Sequence, residues 1–278
     1  MKLQRILFLS LAVIVSLTTL ALTACAQEAQ AGRLYQQMSQ DERRVFVAEQ
    51  ARRIAREMSG TEYEFTADFE ATLQKFVDKY AQRIGNNAGD APWKGDARVV
   101  FERGVANAPV LISAFKARNV SPLIGLYIPL IESEYVNLQA PNSVGAIGMF
   151  QFLPKTGQRF GLTAQDLLDV EKSADAAARY ITYNLKQFKD DPMKEALALL
   201  AYNRGEGKTA NAVQLVVDDQ SRRCSICALT AASNRLDATF QKENVHYVPA
   251  FFAAAIIGEN PQAFGLRQQP LSSYETQR

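Results

Sequence analysis

Apolar positions recur at helical spacing along most of this chain, and the pattern predicts a run of helices. From Gln40 the stretch "DERRVFVAEQARRIAREM" carries charged faces with spaced apolar residues. In "TADFEATLQKFVDKYAQRI", Phe69, Leu73, Phe76, Tyr80 and Ile84 fall three or four apart, one face of a helix. "GNNAGDAPWKGDA" (85–97) is dense in Gly, Asn and Pro and predicts a loop or a soft boundary. "ARVVFERGVANAPVLISAFKARN" then reads as one or two helices. Ser121-Pro122 supplies a cap with proline at the first helical position. The helix that follows, "LIGLYIPLIES", is apolar nearly all round and is therefore expected to be buried, with a kink at Pro129. "SVGAIGMFQF" is broken by glycines and could be a loop, a short β element or a helix start. "VEKSADAAARYITYNLKQF" reads as a helix capped by Ser173. Asp191-Pro192 opens "MKEALALLAYN", which Gly205 stops. "HYVPAFFAAAIIGENP" is a last apolar helix. No segment keeps a two-residue alternation and no internal repeat is visible, so the fold class is mostly α.

The first 25 residues follow another pattern. Lys2 and Arg5 precede an apolar run from Ile6 to Leu22, closed by "LTAC". That is the layout of a secretory signal rather than of a membrane span, which needs about 20 apolar residues. "LTAC" matches a lipobox, with Cys25 as the lipidated first residue of the mature chain. A plain signal peptide or an uncleaved anchor are the other readings. Ala26 after the cysteine, in place of Asp, points to the outer membrane of a Gram-negative host, facing the periplasm. The expected organisation is a signal peptide (1–24), a polar tether (25–39), an N-terminal helical region (40–95) and a larger helical domain (96–270).

Composition narrows the partners. Hydrophobic residues make up 47% of the 278, enough for a sizeable core. Losing Lys2 and Arg5 with the signal leaves 29 basic residues against 29 acidic ones. A chain so balanced has no field of one sign to hold nucleic acid, and that partner class is excluded. Beyond Cys25 there are only Cys224 and Cys227, in "RRCSIC". A CxxC in an exported protein can be a short-loop disulfide, a redox dithiol or half a metal site. His246 is the only histidine and no βαβ pattern surrounds the motif, so a structural disulfide is the expectation.

Candidate chemistry centres on "IESEYVNLQAPNSVGAIGMFQ" (131–151). From Asn119 to Pro154, Glu132 and Glu134 are the only carboxylates, and no Lys, Arg or His accompanies them. A carboxyl desolvated without a cation keeps its proton toward neutral pH and becomes an acid catalyst. The bland reading of Glu132 is a solvated helix-terminal glutamate. Glu134, two positions on, is expected to point away and be solvated. Gly145 and Gly148 would let backbone approach a ligand closely, and Gln151 can both donate and accept. Tyr202-Asn203, at the end of an apolar helix, reads by itself as a packing ring and a cap.

Taken in order, "ES" (132–133), "GAIGMFQ" (145–151), "AYNRGEG" (201–207) and "YVP" (247–249) resemble the four motifs of lytic transglycosylases of the lysozyme-like SLT type. The resemblance spans roughly Val99 to Leu266. It implies a lysozyme-like catalytic domain, preceded here by an additional N-terminal helical segment. The implied activity is non-hydrolytic cleavage of the β-1,4 bond between N-acetylmuramic acid and N-acetylglucosamine, leaving 1,6-anhydromuramoyl ends. Peptidoglycan strands are then the substrate, with no cofactor and no metal. Glu132 would serve as sole acid and base, oriented by Ser133. Gln151 and Asn203 would bind sugar groups, Tyr202 and Tyr247 would bound the cleft, with Tyr247 tuning Glu132, and Met149 and Phe150 would form apolar wall.

The chain departs from the family pattern in places. "GMFQ" stands where "GLMQ" or "GIWQ" is usual, and Asn142, followed by Ser143, stands where many members have serine. Either could bind an acetamido group. A segment from Val216 to Gln241, holding the CxxC, looks like an insert. No LysM-type repeat is seen, so wall targeting is expected to rest on the lipid, the N-terminal helices or a protein partner. Two other functions fit the same fold. A muramidase would need a second carboxylate, for which Asp166, Asp169, Asp175 and Glu206 are candidates, or an ordered water, while a scaffold lipoprotein would bind the wall without cleaving it.

Overall fold

The computed structural model describes residues 33–86 and 95–275; the signal, Cys25 and most of the tether lie outside them. All regular structure among the described residues is helical, apart from one isolated bridge. The helices are α1 (Gln40–Ser59), α2 (Ala67–Gln82), α3 (Ala97–Lys116), α4 (Pro122–Ser133), α5 (Pro154–Arg159) and α6 (Val170–Gln187). They continue with α7 (Lys194–Arg204), α8 (Glu206–Val216), α9 (Ser225–Ala231), α10 (Ala238–Lys242) and α11 (Tyr247–Gly258).

Local sequence explains most of the boundaries. Ser39 and Glu42 form a reciprocal capping box at the start of α1, which Gly60 ends at φ 75°. Thr66 caps α2, and its inner face buries Phe69, Leu73, Val77 and Ala81; Phe76, Tyr80 and Ile84 pack at the margin instead. α3 is one helix despite Pro109. α6 is capped by Asp169, not Ser173, which lies buried inside the first turn. The acceptor must sit just outside the helix to reach its free N–H groups, and Asp169 does. Gly205, at φ 88°, separates α7 from α8.

Packing places α4 in the interior. A Cβ added at Gly125 would stand 2.4 Å from the Phe115 ring, so glycine there permits the close approach of α3 and α4. Pro129 is accommodated within α4 and does not end it. α11 buries every residue but Ala250 and packs against α1, α2, α4 and α7. An apolar core without a break runs from Tyr35 to Leu271, so the N-terminal helices share it with the rest of the chain. The tether reading is corrected at its end: Tyr35 and Met38 are buried, and the Tyr35 hydroxyl donates to Asp78 at 2.9 Å. Burying one large side chain contributes about 1.5–3 kcal/mol, which offsets roughly the entropy of fixing the backbone of one or two residues. Among the described residues, no helix is long and apolar enough to cross a membrane.

Candidate active site

The last turn of α4, the loop 137–153, the end of α7 and the segment 237–247 enclose a cleft of about 600 Å³. Glu132 lines it, half-buried at the exit of the most apolar part of the chain. The Tyr247 hydroxyl, from the first turn of α11, donates to Glu132 Oε1 at 2.7 Å. Burial pushes the Glu132 carboxyl up to about 7, against the Tyr247 hydrogen bond, which favours the ionised form. Burial and the nearby Glu132 likewise hold the phenols of Tyr202 and Tyr247 well above their ordinary range, so both stay neutral donors.

The glycine loop is fastened from two sides. Ser133 Oγ donates to the Met149 carbonyl at 2.7 Å, and the Tyr202 hydroxyl donates to the Phe150 carbonyl at 2.9 Å. Inside the loop, Ile147 and Phe152 exchange backbone hydrogen bonds, which answers the open reading of "SVGAIGMFQF": a loop pinched by one antiparallel bridge. Gly148 has φ 76°, and an added Cβ would lie 2.3 Å from the Leu167 carbonyl oxygen. Asn142 Oδ1 accepts from the amides of Val144 and Ala146, while its Nδ2 donates to Gln151 Oε1 at 3.1 Å. Gln151, at φ 48°, donates in turn to the Gly148 carbonyl.

The residues expected at the site thus fall into two groups. Glu132, Asn142, Gln151, Tyr202 and Asn203 line the cleft, and Tyr247 reaches Glu132 from behind. Ser133, Met149 and Phe150 are buried, and Ser143 is not on the lining. Ser133 ties α4 to the loop and does not bond Glu132 directly; Met149 and Phe150 are core under the loop, not its apolar wall. Glu134 is also corrected: it is buried, not solvated, and its carboxylate lies 2.7 Å from Arg83 of the N-terminal region. Glu134 ends α4 in the left-handed conformation, which turns its side chain inward.

Of the four acids considered as a second carboxylate, only Glu206 lines the cleft. Burial raises its pKa, but its own backbone amide and Arg159 at 3.0 Å outweigh that and leave it lowered, hence ionised. Asp166 is held by Lys172 and Thr163, Asp169 caps α6, and Asp175 pairs with Arg118 and Arg179. Residues missed in the sequence form the opposite wall. Asp237, Thr239, Glu243 and Asn244 come from the insert-like segment and its exit. Asn244 Nδ2 donates to Asn203 Oδ1 at 2.7 Å. Its place three residues before Tyr247, one turn away, was the available signal. Cys224 and Cys227 are disulfide-bonded at the base of that segment. Among the described residues, no group of His, Cys, Asp and Glu is arranged to hold a metal ion.

Residues 109–223 match the family described as transglycosylase SLT domain. This part of the chain is similar to SLT domains. The SLT match takes in Glu132, the glycine loop and the Tyr202-Asn203 pair, and leaves out Tyr247 and both N-terminal helices. Over 156 residues the chain is 27% identical to membrane-bound lytic murein transglycosylase D of Escherichia coli K12, covering 55% of this chain. The protein of that name from E. coli O6:H1 gives the same figures. The chain spans 31% of the length of these relatives. A solved structure of an inactive variant of lytic transglycosylase Slt from Pseudomonas aeruginosa matches with a TM-score of 0.41 at 22% identity. That match covers 58% of this chain and 25% of the other.

Proposed function

We propose that this chain is a peptidoglycan lytic transglycosylase, a lyase that cleaves the β-1,4 bond between N-acetylmuramic acid and N-acetylglucosamine. The observation that carries this reading is the Glu132 carboxyl, lining the cleft with a neutral phenol as its hydrogen-bond partner and a pKa of about 7. Protonated, Glu132 gives its proton to the glycosidic oxygen as the bond to C1 breaks and positive charge develops on the ring. The carboxylate left behind takes the proton of the muramoyl C6 hydroxyl as that oxygen bonds to C1. One proton leaves and one returns, no water is consumed, and the product is a 1,6-anhydromuramoyl end. A single carboxyl therefore suffices, unlike the paired acids of most glycosidases.

Gln151 and Asn203, with Asn142 behind Gln151, are proposed to hold sugar N-acetyl or hydroxyl groups, since all three line the cleft with polar side chains. The names of the relatives, lytic murein transglycosylases, agree with a cell-wall substrate. The proposed location is the periplasmic face of the outer membrane, anchored by lipid on Cys25, with residues 25–34 as the tether.

Mass spectrometry of the products from purified sacculi tests the reaction. Anhydromuramoyl ends are expected, and Glu132→Gln is expected to lower the rate by at least about 10³-fold. Reducing muramic ends would make the chain a muramidase instead. Unchanged activity in Glu132→Gln would remove Glu132 from the chemistry, and a wild-type chain without activity that still binds sacculi would be a scaffold.

A further inference from the structure

Two residues beyond the proposed acid, Glu134 and Arg83 make a buried ion pair that joins α4 to the N-terminal helices. Arg83 stands at the C-terminal end of α2, and its Nη2 lies 2.7 Å from Glu134 Oε1; the side chains are 16% and 3% exposed. The same guanidinium donates to the Gly95 carbonyl through Nε and Nη2, which fixes its plane. Glu134 and Tyr135 both have positive φ, 50° and 59°. Successive non-glycine residues in the left-handed region persist only where their surroundings over-determine them. Here the surroundings are specific. The Glu134 amide donates to the Leu130 carbonyl, the Tyr135 hydroxyl donates to the Leu126 carbonyl at 2.8 Å, and Arg83 holds the Glu134 carboxylate.

Glu132 lies in the last turn of α4, immediately before this turn. Any relaxation of 134–135 would re-aim its carboxyl relative to Tyr247. We infer that Arg83 is a positioning residue for Glu132: its ion pair with Glu134 fixes the left-handed end of α4, and with it the direction in which the acid enters the cleft. The inference rests on the proposed role of Glu132. It also gives the N-terminal helices, which lie outside residues 109–223, a part in catalysis as well as in the core.

Full-length variants Arg83→Met, Arg83→Lys, Glu134→Gln and the double variant Arg83→Met/Glu134→Gln test it, assayed on soluble uncrosslinked glycan strands beside thermal melts. Arg83→Met is expected to lower kcat about tenfold with KM within about twofold, because misdirecting an acid affects the transition state and not substrate binding. The double variant is expected to recover at least about threefold of that loss, since no buried carboxylate is left without its guanidinium. Arg83→Lys, which keeps the charge but not the fork, should fall between wild type and Arg83→Met. A folded Arg83→Met with wild-type kcat, or a loss that appears in KM alone, overturns the inference. Should Arg83→Met fail to fold, the near-isosteric Glu134→Gln gives the reading: a fall in kcat at constant KM supports it, and wild-type kcat overturns it. Glu132→Gln in the same assay separates the two levels. If it is inactive while the Arg83 and Glu134 variants are wild-type, only the positioning role fails. If it is active, the reading of the site fails and takes this inference with it.

Discussion

Whether Glu132 holds a proton at neutral pH depends on what stands beside its carboxyl. Burial raises its pKa to about 7, and the Tyr247 hydrogen bond pulls it the other way. Tyr247→Phe removes a donor that favours the ionised form, so the Glu132 pKa must rise further. In the proposed mechanism the protonated acid begins the reaction, so activity is expected to fall as pH rises through that pKa. In Tyr247→Phe the alkaline limb of kcat/KM should therefore move to higher pH. Rates measured from pH 5 to 9 check this, and a limb that stays or moves down contradicts it. Glu134 is the instructive contrast. It is the same residue type two positions away, yet it is buried against a guanidinium, whereas Glu132 is half-buried beside a neutral phenol. Side-chain type does not separate them; the neighbours delivered by α2 and α11 do.

At the scale of an element, the loop 137–153 is tied to its neighbours through Ser133 and Tyr202. Its glycines look equivalent in the sequence but differ in their surroundings. Gly148 has φ 76° and a carbonyl oxygen where a Cβ would go, while Gly145 has φ 86° and nothing within 4 Å. Gly145→Ala should cost only the strain of a left-handed alanine, about 1–2 kcal/mol. Gly148→Ala adds a backbone clash and should cost about 3–4 kcal/mol, lowering Tm by roughly 8–12 °C and displacing Gln151. Thermal melts of the two variants decide the point. Equal losses would mean that docking against Leu167 is not what holds the loop. α4 is the complementary case. Its apolar run was readable as a buried helix and Pro122 as its beginning, whereas Ser121 stands at the N-cap position without making the expected side-chain capping hydrogen bond. Its end was not, because a left-handed glutamate held by a distant arginine leaves no local signature.

Across the whole molecule, the core without a break from Tyr35 to Leu271 makes one body of segments that look separable in the sequence. Tyr35 already belongs to the core, and about ten positions of sequence lie between it and Cys25. If Cys25 carries the lipid, Cys25→Ser should move the protein from the membrane fraction to the soluble one while leaving activity on sacculi intact. An intact mass of the wild-type protein without added lipid on Cys25 would exclude lipid at that position. The sequence by itself determined the helical class, most helix limits and the burial of α4 and α11, and its motifs named the glutamate, glutamine, tyrosines and asparagine that lie around one cleft. Each of these depends on periodicity, on caps or on short motifs, all of which are local. Tertiary structure alone decided that Glu134 is buried with Arg83, that Ser133 and Met149 are buried and hydrogen-bonded to each other, and that Asp237, Thr239, Glu243 and Asn244 line the cleft. Those outcomes depend on which distant residue arrives beside each group. The arrival is set by packing between segments apart in the chain, by 16 residues for Ser133 with Met149, 41 for Asn203 with Asn244 and 115 for Glu132 with Tyr247, where the identity of a residue carries no record of its neighbour.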